Sequence, residues 1–338
     1  MTRIGFVFDS RDEYLAEGFA DVQVAEFDTE ETLVEIESAL HRLGNQVERI
    51  GNGRKLAAKL ADGTRWDLIF SIAEGLKGRS REAQVPALCE LFDQPYAFSD
   101  PLTMAATLDK AVAKRLVRDA GIATAPFMVM ESKTDSLKTW THYPAFVKPL
   151  AEGTGKGCEH ASLVENEAAL SAAASSLIQR FNQPALIEAY LPGREFTVGV
   201  VGNGSNAQCI GIMEVCVNKD FESGVYSFNN KEFCELSVSY HRADDAEALA
   251  AGETALAAYR TLGCRDASRV DIKSDGNHRP TFLEVNPLAG LHPTHSDLPM
   301  LAAQNGISFD RLLSMILEAA RLRLGLDIDV SEHLKESA

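Results

Sequence analysis

The chain has 338 residues, 45% hydrophobic and 24% charged, enough for two or three compact units each with its own core. Its 49 acidic residues against 33 lysines and arginines leave a formal net charge of −16, which argues against a broad nucleic-acid surface, so any phosphate site must be local. Six scattered cysteines without a Cys-x-x-Cys pair point to reduced thiols, no apolar run reaches membrane-spanning length, and the first nine residues read as a strand and not as a signal peptide; a cytoplasmic protein without membrane partners is expected.

The order of elements begins as α/β. Residues 4–8 read as a buried strand, residues 30–43 carry apolar side chains at helical spacing up to Gly44, and residues 47–50 are strand-like. Residues 66–72 make another buried strand and 83–92 another helix, an alternation that predicts a parallel sheet. Residues 9–27 are too long and too charged for a simple strand-to-helix turn, and read either as a flexible loop over a site or as an irregular insertion. Residues 73–82 follow the third strand and contain Gly75, Gly78, Arg79 and Arg81. Ligands of open α/β sheets lie beyond the carboxyl ends of the strands, so Arg79 and Arg81 are candidates to grip a substrate carboxylate, the alternative being a solvated basic turn.

Asp100 and Pro101 mark a boundary, and residues 108–121 read as a helix with a basic face, closed by Gly121. Residues 143–149 form a strand whose Lys148 precedes a loop with Gly153, Gly155 and Gly157. Such a loop lets backbone N–H groups approach phosphate oxygens while the lysine adds charge; an ordinary glycine-rich turn is the other reading. It is neither a Walker loop nor a dinucleotide fingerprint. Residues 185–198 place a strand, a Pro192-Gly193 turn and a second strand in sequence. Glu188, Ala189, Tyr190 and Leu191 offer an adenine ring backbone hydrogen bonds and apolar faces, and Glu195 offers a ribose a carboxylate; a plain hairpin with solvent-facing acids fits the same residues.

Residues 269–287 hold two apolar runs around Ser274, Asp275, Gly276 and Asn277, the pattern of a β-hairpin. Glu284 and Asn286 share a strand face while Leu283 and Val285 point into the other layer, and Asp271 comes to the same side as Glu284 when the hairpin folds. Two carboxylates and an amide oxygen suit Mg²⁺ whose other positions are filled by water and phosphate. A surface hairpin with solvated acids is the competing reading.

Taken in order, Asp109-Lys110, Val147-Lys148-Pro149 with the glycine-rich loop, Ile187-Glu188, Gly193 to Thr197, Arg269-Val270-Asp271 and Leu283 to Asn286 resemble the ATP-grasp superfamily, and within it the D-alanine–D-alanine ligases. The resemblance runs from about Ile4 to about Ala320. It implies an ATP-grasp fold, α/β (α+β overall), in three parts: an N-terminal Rossmann-like pre-ATP-grasp domain (1–100), a central small subdomain with the glycine-rich lid (101–187) and a C-terminal subdomain with the metal site (188–330). By matching motif positions it places Lys110, Lys148 and Lys231 on the phosphates of ATP, Glu152, Gly153 and Gly155 in the lid, Glu188 to Leu191 and Leu283 around adenine, and Glu195 on the ribose. Asp271, Glu284 and Asn286 would hold two Mg²⁺ ions, or Mn²⁺ in their place. Arg269 and the Gly290 N–H would stabilise a tetrahedral intermediate, with Thr154 at the family's lid serine. The implied chemistry is attack of a carboxylate on the γ-phosphate, then of an amine on the acyl phosphate, with small-molecule amino acids as substrates and a homodimer as the assembly.

The substrate end departs from the family pattern. Relatives that make D-alanyl-D-alanine carry a Glu after the first strand, a His-Gly after the third, a lid Ser, and a Tyr beside the lysine matching Lys231. Here residues 9–27 offer no acid that matches, His-Gly is replaced by Glu74-Gly75, the lid has Thr154, and Lys231 is followed by Glu232. Ser296 is the nearest counterpart of a carboxylate-binding serine, and His292 and His295 read as packed or solvent-facing. The expected activity is therefore an ATP-dependent, ADP-forming ligase joining two amino acids, with D-alanyl-D-alanine as the default product. Glu74, Arg79, Arg81 and Thr154 speak for a ligase with another acid or amine. A regulatory ATP-binding module without turnover is the alternative of another class, against which the complete metal and oxyanion set argues.

Overall fold

The computed structural model describes residues 1–152, 162–217 and 238–326. Three sheets carry the fold. The first is parallel, in the order β2-β1-β3, from β1 (Arg3–Val7), β2 (Gln46–Gly51) and β3 (Leu68–Ser71). Its central strand β1 is buried from Ile4 to Val7, which is why it reads as a continuous apolar run without alternation. Helix Gly53–Ala61, which the sequence reading passed over, is short and begins on a glycine; Asn52 caps it by accepting from the N–H groups of Arg54 and Lys55.

Residues 9–27 form a folded insertion with its own helix, Arg11–Ala16, and a 3-10 turn, Asp21–Gln23. The Tyr14 ring packs 5.5 Å from Phe19 and 4.9 Å from Phe27, and its hydroxyl donates to Asp9, so an aromatic cluster and not a regular pattern organises the segment. The helix expected over 108–121 is present as Lys110–Asp119 with Asp109 as its N-cap, and a separate helix, Pro101–Leu108, precedes it.

The second sheet is antiparallel, β4-β7-β5-β6, from β4 (Phe127–Met130), β5 (Ala145–Pro149), β6 (Leu163–Val164) and β7 (Ala185–Ala189). The third, also antiparallel, runs β10-β9-β8-β11-β12, from β8 (Glu195–Val201), β9 (Gln208–Val217), β10 (Val238–Arg242), β11 (Ala267–Ser274) and β12 (Pro280–Asn286). A parallel sheet followed by two antiparallel ones makes the whole chain α+β. Helix Ala246–Thr261 covers the third sheet with small side chains, Ala248, Ala251, Ala255 and Ala258, that let it lie close.

Residues 185–198 are not one hairpin. β7 joins the second sheet and β8 the third, and the chain crosses between them at Pro192-Gly193. A Cβ at Gly193 would lie 2.6 Å from the Ser274 carbonyl oxygen, which also accepts from the Gly193 N–H, so the crossing is held where only glycine fits.

The closing helix Phe309–Leu324 packs back on the first sheet, where Leu312, Leu313, Ile316 and Leu317 share one core with Ile4, Phe6, Leu33, Ile36 and Leu40. Asp266, fully buried, fastens this junction by accepting from the Phe98 N–H, from Asn203 Nδ2 and from two nitrogens of Arg323. Among the described residues Cys89, Cys209, Cys216 and Cys264 are free thiols, as expected, while Cys158 and Cys234 lie outside them.

Asp266→Ala removes the acceptor of a buried guanidinium and is expected to lower the unfolding free energy by roughly 3–5 kcal/mol. Arg42→Ala, which breaks the exposed Arg42–Asp310 pair, is expected to change it by less than about 1 kcal/mol. Urea unfolding followed by circular dichroism measures both.

Candidate functional site

Lys110 and Lys114 stand one turn apart on the same helix face. Lys114 is fully buried: its ammonium pairs with Glu188 on β7 and donates to Thr124 Oγ1 at 2.7 Å and to the Phe282 carbonyl on β12 at 3.3 Å. The other oxygen of Glu188 lies 2.8 Å from Lys148 Nζ on β5. One helix, the second sheet and the hairpin of the third are thus joined through a single cluster of two ammonium groups and one carboxylate. Burial by itself would raise the Glu188 carboxyl, but Lys114 and Lys148 outweigh it and hold it at about 2. Burial likewise draws the Lys114 ammonium down, against the pull of Glu188.

Lys110 Nζ donates to the Glu152 carbonyl at 2.6 Å and lies 3.4 Å from Glu284. On the hairpin, Asp271 faces Glu284 and Arg269 faces Asn286 in the antiparallel register, so the four side chains that the sequence grouped stand on neighbouring rungs. The register then slips: Ile272 pairs with Phe282, and Leu283 is an extra residue on β12. This bulge corrects the expected alternation, because Leu283 is left half-buried while Phe282 and Val285 are buried. Asp271 accepts from Thr197 Oγ1 at 3.0 Å and sits 3.1 Å from Arg269, whose other terminal nitrogen donates to Asp297 at 2.8 Å.

Lys110, Arg269, Glu284 and Asn286 border a cavity of about 100 Å³, whose lining does not include Asp271, Lys148 or Glu188. Glu152 and Gly290 line it too, as do Glu26, Asp28, Glu74 and Glu82. Burial lifts the Glu74 carboxyl well above the usual range and brings Glu82 and Asp28 to about 7. Gly75 turns the chain beside Glu74 with a φ of +72°; a Cβ there would sit 2.7 Å from the Arg81 carbonyl oxygen.

The two arginines expected to grip a substrate are engaged within the protein. Arg79 is exposed and pairs with Asp109 at 2.6 Å, outside the cavity lining, and Arg81 pairs with Glu26 at 2.7 Å and donates to the Ala151 carbonyl. Glu195 is 2.6 Å from Lys273, opposite it in register. The N–H groups of Ala189 and Tyr190 donate to the carbonyls of Pro126 and Pro144, and Leu191 is buried. Ser296 Oγ accepts from the His292 N–H, and a Cβ at Gly290 would come within 2.7 Å of it. Burial holds the His292 ring below its usual range, as befits a packed histidine. Gly153, Thr154, Gly155 and Lys231 lie outside the described residues.

The sequence reading did not single out Lys114, Glu26, Asp28, Glu82 or Asp297. Lys114 was within reach, since it follows Lys110 by four residues on a helix already read as basic on one face. The acids were not, because they meet only through the tertiary fold.

The site's Asn286 has a buried Nδ2 without a hydrogen-bond partner among the described residues, a donor that an oxygen-rich ligand would satisfy. Together with the hard oxygen donors of Asp271 and Glu284, it fits a divalent cation accompanied by phosphate. Residues 116–318 match the family model described as D-ala D-ala ligase C-terminus. An uncharacterised protein of Sinorhizobium fredii is 31% identical over 264 residues, 76% of this chain and 75% of its own. The D-alanine–D-alanine ligase of Aquifex aeolicus is 29% identical over 283 residues, 83% of this chain and 92% of its own. Among solved structures, the D-alanine–D-alanine ligase from Bacillus anthracis complexed with ATP aligns over 100% of both chains with a TM-score of 0.69 at 21% identity. The VanG D-Ala:D-Ser ligase from Enterococcus faecalis aligns over 94% of this chain and 99% of its own, with a TM-score of 0.70 at 20% identity.

Because the Glu188 carboxyl is held at about 2, below its ordinary 4.5, its contribution to stability is fully present above about pH 4.5 and is lost as pH falls through 2. Glu188→Gln removes the carboxylate shared by two buried ammonium groups and is expected to cost roughly 3–5 kcal/mol at neutral pH, with a shallower acid limb than the parent. Urea unfolding repeated across this pH range reads both effects.

Proposed function

The chain belongs to the D-alanine–D-alanine ligase family, and we propose that it is an ATP-dependent, ADP-forming ligase that joins two small amino acids through an acyl phosphate. The observation that carries this reading is the single cavity onto which Lys110, Arg269, Glu284, Asn286 and Gly290 converge from separate elements. Asp271, Glu284 and Asn286 would hold Mg²⁺, which supplies charge neutralisation at the phosphate oxygens.

The remaining work falls to the chain's own residues. Lys148 belongs to a cluster with two ammonium groups and one carboxylate, and with Lys110 it suits a polyphosphate. A substrate carboxylate oxygen bonds to the γ-phosphorus as the bond to ADP breaks. The free amine of the second amino acid then bonds to the carbonyl carbon, loses a proton, and inorganic phosphate leaves. Both steps ask mainly for positioning and for charge placed in advance, so no nucleophilic side chain is needed. Arg269 meets this demand because Asp271 and Asp297 fix its guanidinium, and the Gly290 N–H on the same cavity is the second oxyanion donor. An adenine edge would be read by the backbone of the segment from Glu188 to Leu191, beyond the two N–H groups already donated, with the half-buried Leu283 against its face and Glu195 on the ribose. Gly153, Thr154, Gly155 and Lys231 complete the lid and phosphate contacts in this reading.

The reading divides the chain at residues 1–100, 101–187 and 188–330. The family likeness supports a homodimer in the cytoplasm, and no helix among the described residues is long and apolar enough to cross a membrane.

ADP release is to be scored with ATP, Mg²⁺ and a panel of amino acids and hydroxy acids. Glu284→Ala is expected to lower turnover by about a hundredfold or more, and Arg269→Met by about 10²–10³. Tight ATP binding with no amino-acid-dependent ADP release from any member of the panel would favour a binding module instead.

A further inference from the structure

We propose that Lys273 and Glu195 together read the ribose of the nucleotide, and that Lys273 is thereby a specificity-determining residue, favouring a sugar that carries both hydroxyl groups. The inference rests on the ligase reading of the site and adds one residue to its nucleotide end.

Side chains alternate along β11, so Arg269, Asp271 and Lys273 share one face while Val270 and Ile272 are buried in the core on the other. Each of the three stands opposite a residue of β8: Arg269 opposite Gly199, Asp271 opposite Thr197, Lys273 opposite Glu195. Their contacts follow the same row. Arg269 lies 3.1 Å from Asp271, Thr197 donates to Asp271, and Lys273 Nζ lies 2.6 Å from Glu195. Successive members of the row are about 7 Å apart along the strand. In the ligase reading it runs from oxyanion donor to metal ligand to a lysine–carboxylate pair, the order in which acyl carbon, metal-bound phosphates and sugar follow one another. Glu195 also opens β8 just after Leu191, where the segment assigned to adenine ends.

The pair is more than a tie between strands. β8 and β11 are already in register from Ala267 to Lys273 without a break, so they do not need an ion pair whose desolvation costs stability. Both side chains are only 15% exposed, yet their hydrogen-bonding capacity is unspent. Among the described residues, one Lys273 N–H is used, on Glu195 Oε2, and Glu195 Oε1 accepts no hydrogen bond. Burial alone would lower the Lys273 ammonium, but Glu195 holds it above its usual range, so it stays charged at neutral pH. Tyr190, in the adenine segment, and Lys148, on the phosphate side, both act on that charge, which places the ammonium between the two ends of an adenosine phosphate. Each ribose hydroxyl is at once a donor and an acceptor. A carboxylate meets only the first role, and the ammonium beside it meets the second. Together they fit a vicinal diol, and a sugar lacking its hydroxyls leaves both charged groups short of a partner.

Titration calorimetry of the full chain with Mg²⁺ and, in turn, ATP, 2′-deoxy-ATP, 3′-deoxy-ATP and 2′,3′-dideoxy-ATP tests this, with ADP release from ATP measured in parallel on a panel of amino acids. ATP is expected to bind about tenfold or more tighter than the dideoxy nucleotide, with the two monodeoxy nucleotides between them. Lys273→Met and Lys273→Gln, each checked for the parental unfolding transition, are expected to reduce that ratio by about fivefold or more. Equal binding of ATP and the dideoxy nucleotide by the parent would overturn the inference. So would an unchanged ratio in whichever variant folds, because a lysine with a purely structural role weakens all four nucleotides alike. Amino-acid-dependent ADP release in either case leaves the ligase reading intact. Discrimination that the variants weaken, without ADP release on any amino acid, would support the ribose assignment and sink the ligase reading. No binding of ATP by the parent would overturn both.

Discussion

A single buried ammonium sets the geometry on which the rest of the structure depends. Lys114 is enclosed by protein, and a charge so placed is tolerated only where acceptors surround it. Its acceptors come from β7, from Thr124 and from the Phe282 carbonyl, so satisfying one side chain aligns the helix from Lys110 to Asp119 with two separate sheets. Lys148 and Lys110 are brought near by the same arrangement, one through Glu188 and the other through the helix they share with Lys114. The helix that brings Lys110 to the cavity is therefore positioned by how the sheets meet.

The charge distribution divides the cavity into two ends with different tasks. At the hairpin, acids and bases alternate: Asp271 with Arg269, Arg269 with Asp297, Lys110 with Glu284. Such a network keeps each group oriented, which matters for chemistry that depends on donors already in place. On the N-terminal side the acids outnumber the bases, and burial, helped by neighbouring acids, raises their carboxyls.

How much of this could be read from the sequence depended on whether the signal was local. The hairpin was legible because side chains alternate with a period of two and a polar turn separates its strands, which placed Asp271 opposite Glu284 as the register shows. The bulge at Leu283 was not, since one extra residue leaves no trace in composition. The strand–turn–strand pattern of residues 185–198 misled for a related reason: a hairpin and a crossing between two sheets look alike locally, and what decides between them is Ser274, far along the chain, pressed against Gly193. Glu26 and Asp28 lie in a segment without periodicity, and their wall is assembled by contacts such as the Gly75 N–H to Asp9, 66 residues apart. Glu74 could be noticed as a departure from the family's histidine, but its partners in the wall could not.

The central claim is that nucleotide, metal and substrate meet at the cavity where the hairpin of the third sheet faces Lys110 and the N-terminal segments. A crystal structure with a non-hydrolysable ATP analogue and Mg²⁺ tests it most directly. The account predicts adenine beside the segment from Glu188 to Leu191, the triphosphate along Lys110 and Lys148, and the metal on Asp271, Glu284 and Asn286. A nucleotide seated on the first sheet, or a metal taken up by Asp28, Glu74 and Glu82, would contradict it.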